Sequence, residues 1–175
     1  IIVLMKIRAR DGHDAFDSEY QNDPTASEDA PFHNSLHYWH TLPNNLLYFG
    51  ACDPSLGKFG KQRDPSAIGI GGFDRENGIL YIVKMLIKKR LPDRIISDII
   101  ELQRQYMCIA WAIESVQFQE FLRTELVKRS AKMGVPVPAV PVHPHADKEL
   151  RIEALQPHCA NGLILFHTEQ TTVID

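Results

Sequence analysis

No stretch of the 175-residue sequence approaches the run of about 18 apolar residues that a membrane-spanning helix needs, so no membrane partner is expected. The opening IIVLM is too short and wrongly flanked for a signal peptide. Cysteine is scarce. Cys52, Cys108 and Cys159 are dispersed, form no CxxC pair and leave one thiol over in any disulfide scheme, which favours a reducing compartment and disfavours structural zinc on thiolates. The strongly basic balance of a sequence-specific DNA-binding domain is missing too, the formal net charge being -3. Position 1 is not Met, and a domain cut from a longer protein is expected, with room for one domain of ordinary size and a modest extension.

Nucleotide-binding loops are also lacking. GACDPSLGKFGK has Gly50, Gly57 and Lys58, but six residues separate the glycines instead of four, and Phe59 stands where a Walker A loop needs Ser or Thr. Gly69, Gly71 and Gly72 have neither the spacing nor the following helix of a dinucleotide fingerprint.

What is present divides along the chain. Residues 1–45 carry seven acids (Asp11, Asp14, Asp17, Glu19, Asp23, Glu28, Asp29) against three bases (Lys6, Arg8, Arg10), and the remainder is almost neutral. The segment 1–44 reads as a linker or N-terminal arm, in which AFDSEYQ and FHNSLHYWH are candidate short helices, and 45–175 reads as the folded domain. In the domain, LLYFGAC, SAIGIGGF and ILYIVKMLI are short apolar runs that predict strands, the last two joined by the turn-rich DRENG as an antiparallel hairpin. After Pro92, the residues Ile95, Ile96, Ile99, Leu102 and Tyr106 recur at helical spacing. CIAWAI is a further strand, and Phe118, Phe121, Leu122 and Leu126 mark a second helix that Gly134 closes. VPAVPVHPH predicts a proline-interrupted strand near an edge, 147–159 a third helix with Asp147 as cap, and LILFH a last strand. The basic clusters Lys84, Lys88, Lys89, Arg90 and Arg123, Lys128, Arg129, Lys132 read as solvated faces.

This order, β-β-β-α-β-α-β-α-β, predicts an α/β fold whose mixed sheet combines an antiparallel three-strand meander with parallel strands, flanked by helices. A right-handed crossover through the first helix returns CIAWAI beside LLYFGAC and parallel to it. Asp53 and Glu114 then end adjacent parallel strands, where two carboxylates are able to share a divalent metal. Taken singly, each acid is as readily a turn or helix cap; the shared topology makes the pair the candidate site. Asp64, just before the second strand, either supports the metal ligands or starts the strand. His33, His37 and His40 are spaced for one helical face, but the flanking Leu36, Tyr38 and Trp39 favour packing over metal binding. His143 and His145 alternate on a strand-like segment, as a surface pair or as contacts for substrate phosphate or metal.

Four segments, AFDSEYQNDP, YFGACDPSLGKFGKQRDPSAIGIGGFD, WAIESVQFQEFL and HADKELRIEALQPHCANGLILF, stand in order across nearly the whole chain. Together they resemble the C-terminal nuclease domain of tailed-phage (or prophage) terminase large subunits. The resemblance implies a ribonuclease H-like fold and a metal-dependent DNA endonuclease that cuts concatemeric phage DNA by two-metal (Mg2+ or Mn2+) phosphodiester hydrolysis. It makes Asp53 and Glu114 the first two metal-binding acids, and sets Lys148 and Arg151 in a DK..R pattern that touches DNA or braces the site. It implies as partners double-stranded DNA, an ATPase domain in the same full-length chain, the terminase small subunit and the portal protein, in the cytoplasm of the infected or lysogenic host. The sequence departs from the family where a last acidic motif containing HDD is due: no counterpart precedes Asp175, so the domain is expected to be truncated, with Asp147 or Asp175 as weak candidates for the third ligand. Two other functions compete, a non-enzymatic packaging-motor docking module and a resolvase- or transposase-type catalytic core. Manganese-dependent nicking separates the first, and a preference for branched over linear duplex the second.

Overall fold

The computed structural model describes residues 32, 35–54, 65–114, 119–143 and 147–168. The chain divides into two compact units, Ile1–Ser35 and Leu36–Asp175, and the architecture that follows is that of the second. Its strands are β1 (His37–Trp39), β2 (Leu47–Asp53), β3 (Ser66–Asp74), β4 (Ile79–Lys88), β5 (Ala110–Glu114), β6 (Ala139–Val142) and β7 (Ile164–His167); its helices are α1 (Pro92–Tyr106), α2 (Gln119–Lys132), α3 (Lys148–Glu153) and α4 (Gln156–Ala160). Among the described residues no helix is long and apolar enough to cross a membrane.

The described strands form one mixed sheet in the order β1-β7-β4-β3-β2-β5-β6. Strand β3 runs antiparallel to β2 and β4, whereas β5 pairs parallel to β2, β6 to β5, β7 to β4 and β1 to β7. Every described strand except β3 therefore points the same way, and β2, β5 and β7 end on one side of the sheet. The hairpin between β3 and β4 turns on Asp74, whose carboxylate accepts from the amides of Glu76 and Asn77 and from the Asn77 side chain, and Gly78 supplies the left-handed φ of 70°.

One face of the sheet is closed by α1 and α2. Pro92 occupies the first turn of α1, where its missing N–H costs nothing, and the stripe Ile95, Ile96, Ile99, Ile100 and Leu102 is buried against Ile68, Ile70, Trp111 and Ile113. Leu122 and Leu126 of α2 complete this core, and Gly134, at φ 67°, follows the helix end. Trp111 is fully buried, and its indole N–H donates to Gln103 Oε1 at 2.6 Å while the same amide donates to the Cys108 carbonyl. Directly beside Trp111 in the register lies Gly50, where a Cβ would stand 2.2 Å from the indole, so the β2–β5 contact closes only over a bare backbone.

Several expectations are corrected. FHNSLHYWH is not helical where it is described: His37–Trp39 is a strand, and it pairs with β7 within a segment that reads as an arm. Helical spacing therefore does not gather the three histidines; His33 lies outside the described residues, as does AFDSEYQ. The third helix is two short ones, interrupted at Ala154 and Leu155 before Pro157. Phe118, one of the residues that mark the second helix, lies outside the described residues; Phe121 is on that helix and is 65% exposed. Arg90, grouped by sequence with a solvated lysine cluster, is buried.

Candidate active site

Alternation along the paired strands β2 and β5 decides which side chains meet. In β2, Gly50 and Cys52 are buried while Ala51 and Asp53 are exposed; in β5, Trp111 and Ile113 are buried while Ala112 and Glu114 are half-buried. The parallel register runs from Phe49 opposite Ala110 to Cys52 opposite Ile113, so its next step sets Asp53 across from Glu114. Both acids stand at the carboxyl ends of their strands, on the face away from α1 and α2. Ala51-Cys52-Asp53 and Ala112-Ile113-Glu114 repeat one local design: a small residue outward, an apolar residue into the core, an acid outward.

The two carboxylates line a cleft of about 280 Å3 together with Arg151 of α3. Its floor is made of Ala51, Ala67, Gly69 and Ala112, walled by Met85 and Val142. A Cβ at Gly69 would lie 2.6 Å from the Met85 sulfur, so this glycine lets β4 lay its thioether across β3. A bulge between Ile70 and Gly71 shifts the β3–β4 register, which keeps both Ile82 and Met85 on the cleft side.

Cys52, next to Asp53, belongs to the opposite face. Burial pushes its thiol up to about 12, the neighbouring Asp53 charge adds to the rise, and the charge of Arg90 opposes it. At neutral pH the group is a protonated, packed thiol and neither a nucleophile nor a soft metal ligand. Iodoacetamide at pH 8 is expected to leave Cys52 unmodified in the native protein and to label it only under denaturant. Peptide mass mapping reads this directly, and rapid native labelling would contradict the placement.

The described donor set of the cleft is thus two carboxylates, oxygen ligands of the kind hard divalent cations take. Among the described residues no group of three or more Asp, Glu, His or Cys gathers where it could hold a metal ion. Asp64, His145 and Asp175 lie outside the described residues. Asp147 is exposed and precedes α3, its carbonyl accepting from the Arg151 amide at 3.1 Å. Lys148 opens α3, and His143 is exposed immediately after β6. Of the residues singled out by sequence, then, Asp53, Glu114 and Arg151 share the cleft. The small floor was missed, although the repeated Ala-x-acid pattern carries its signal.

No protein-family model matches the sequence, and no curated protein matches it. Solved structures do match. The large terminase nuclease domain of P22 superposes with a TM-score of 0.55 at 14% identity, over 80% of this chain and 71% of that one. A large terminase from a thermophilic bacteriophage gives 0.54 at 15% identity over 79% of this chain, which spans about a third (33%) of that protein's length. A human cytomegalovirus terminase nuclease domain, manganese-soaked and inhibitor-bound, gives 0.51 at 13% identity over 81% of this chain and 76% of that one. The chain has the ribonuclease H-like fold of these terminase nuclease domains.

Proposed function

We propose that this domain is the divalent-metal-dependent endodeoxyribonuclease of a viral DNA-packaging terminase, acting on double-stranded DNA. The observation that carries the reading is that Asp53 and Glu114 end adjacent parallel strands and line one cleft, in a fold shared with terminase nuclease domains. In a full-length chain the domain would follow an ATPase and work with the small subunit and portal in the host cytoplasm.

When bound, Mg2+ or Mn2+ ions supply an activated water, neutralise charge on the attacked phosphate and assist the leaving 3′-oxygen. Asp53 and Glu114 are assigned as the residues that would hold the ions through their carboxylate oxygens. The Arg151 guanidinium, on the same cleft, is assigned to a backbone phosphate, for which its planar fork of donors is suited. Lys148 and His143, at the start of α3 and the end of β6, are assigned as further phosphate contacts and Asp64 as support for the acids. The Ala and Gly floor keeps bulky side chains out of the cleft beside the two acids. Contacts of this kind read the DNA backbone and not its bases, so cutting is expected to be sequence-tolerant.

Supercoiled plasmid nicking tests the proposal. Nicking is expected in Mn2+ and not in EDTA, weak in the isolated domain, and without preference for branched over linear duplex. Equal nicking in EDTA would sink the metal mechanism, and no nicking in any divalent cation would favour the docking module. DNA affinity is expected to fall steeply as salt rises, because phosphate contacts release counterions; a salt-insensitive complex would argue for another binding mode.

A further inference from the structure

Arg90 is a charged residue that the chemistry above does not use and that the fold nevertheless buries, its side chain 4% exposed. Its Nε donates to Asp98 Oδ2 of α1 at 2.9 Å. Its Nη1 faces the Ser66 carbonyl and hydroxyl oxygens, at 3.2 and 3.1 Å, and the carbonyls of Leu86 and Lys88, at 3.3 and 3.4 Å. The Ser66 hydroxyl in turn donates to the Lys88 carbonyl at 3.0 Å. One guanidinium thereby ties the first residue of β3, the last turn of β4 and the middle of α1.

This knot lies one residue from the candidate site. Ser66 precedes Ala67, and Ala67 is the antiparallel partner of Asp53 and part of the cleft floor. Asp53 is the last residue of β2, so β3 at Ala67 supports it on one side and the end of β5 on the other. A buried guanidinium is a costly way to fill space, since an apolar side chain would close the same gap without the desolvation penalty. What it adds is direction: donors in a rigid fork that fix several oxygens at once.

We infer that Arg90 is a positioning residue, which through Ser66 holds the β3 end against Asp53 so that the Asp53 carboxylate stays opposite Glu114 and ready to take a divalent cation. The inference rests on the nuclease reading above. It extends that reading to a residue on the core side of the sheet, which does not itself line the cleft.

The test is direct Mn2+ binding by calorimetry, run beside Mn2+-dependent nicking, on wild type and on Arg90→Lys, Ser66→Ala and Arg94→Gln. Arg94 pairs with the same Asp98 at 3.0 Å but is exposed, so it controls for loss of an Asp98 partner alone. Arg90→Lys keeps the charge and loses the fork. Folding is checked by near-ultraviolet circular dichroism. Mn2+ binding is expected to weaken about tenfold in Arg90→Lys, the lower range for partners that orient metal ligands, and less in Ser66→Ala. Nicking should recover as Mn2+ is raised, and Arg94→Gln should match wild type. A folded Arg90→Lys with wild-type Mn2+ affinity would overturn the inference. If that variant does not fold, wild-type affinity in Ser66→Ala would overturn it instead. Absence of Mn2+ binding by wild type would overturn the nuclease reading itself, and the inference with it.

Discussion

Asp53→Asn is expected to abolish Mn2+-dependent nicking, by about a thousandfold or more, equivalent to roughly 4 kcal/mol of transition-state stabilisation. The substitution is nearly isosteric and removes a charge from the end of β2, where Asp53 is exposed and lines the cleft with Glu114. An amide is a poor ligand for a hard cation that expects an anionic oxygen. The fold should survive, because Asp53 is exposed and lies outside the buried core on the α1–α2 face, and the thermal midpoint should stay close to that of wild type. Single-turnover nicking with a melting curve on the same sample checks both halves. Full activity in the variant would remove Asp53 from the site.

Gly50→Ala should do the reverse and damage the fold before the chemistry. The added methyl would sit 2.2 Å from Trp111 Cδ2, and the indole cannot retreat: it is fully buried and held by Gln103 at 2.6 Å. Either β2 parts from β5 or the Gln103 bond breaks. The expected loss is about 3 kcal/mol, at the upper end for overpacking, a fall in Tm of about 10 °C for a domain of this size. Because β2 and β5 carry Asp53 and Glu114, parting them should also weaken Mn2+ binding. Trp111→Leu combined with Gly50→Ala should recover part of the stability, since residues in contact are not additive. A Gly50→Ala protein with the wild-type Tm would show that the strands are not in the described register.

The meander, the crossover and the two strand-end acids are legible in the sequence because each rests on a local signal. Apolar runs of strand length, the turn DRENG and an amphipathic stripe after Pro92 suffice to order the elements, and handedness returns β5 to β2. Strand β1 is not legible. His37–Trp39 is three residues of mixed polarity, and it is a strand only because β7, at the other end of the chain, offers a parallel edge and Trp39 packs between Tyr81 and His167 while donating to the Ile82 carbonyl. Arg90 fails for a related reason: in sequence it ends a run with Lys88 and Lys89, and only the tertiary meeting of β3, β4 and α1 surrounds it with acceptors. Which side of α2 is buried is settled only by tertiary packing: Leu122 and Leu126 take the core side and Phe121 faces outward. Arg151 enters through resemblance and not periodicity, and the cleft that it shares with the acids joins residues nearly one hundred positions apart (53 and 151).

The most direct measurement is a manganese-soaked crystal of this domain with anomalous diffraction collected at the manganese edge. A peak is expected in the cleft with carboxylate oxygens of both Asp53 and Glu114 within about 2.5 Å, and it should be lost in Asp53→Asn crystals. A peak bound elsewhere, or Asp53 and Glu114 found at opposite ends of the sheet, would contradict this.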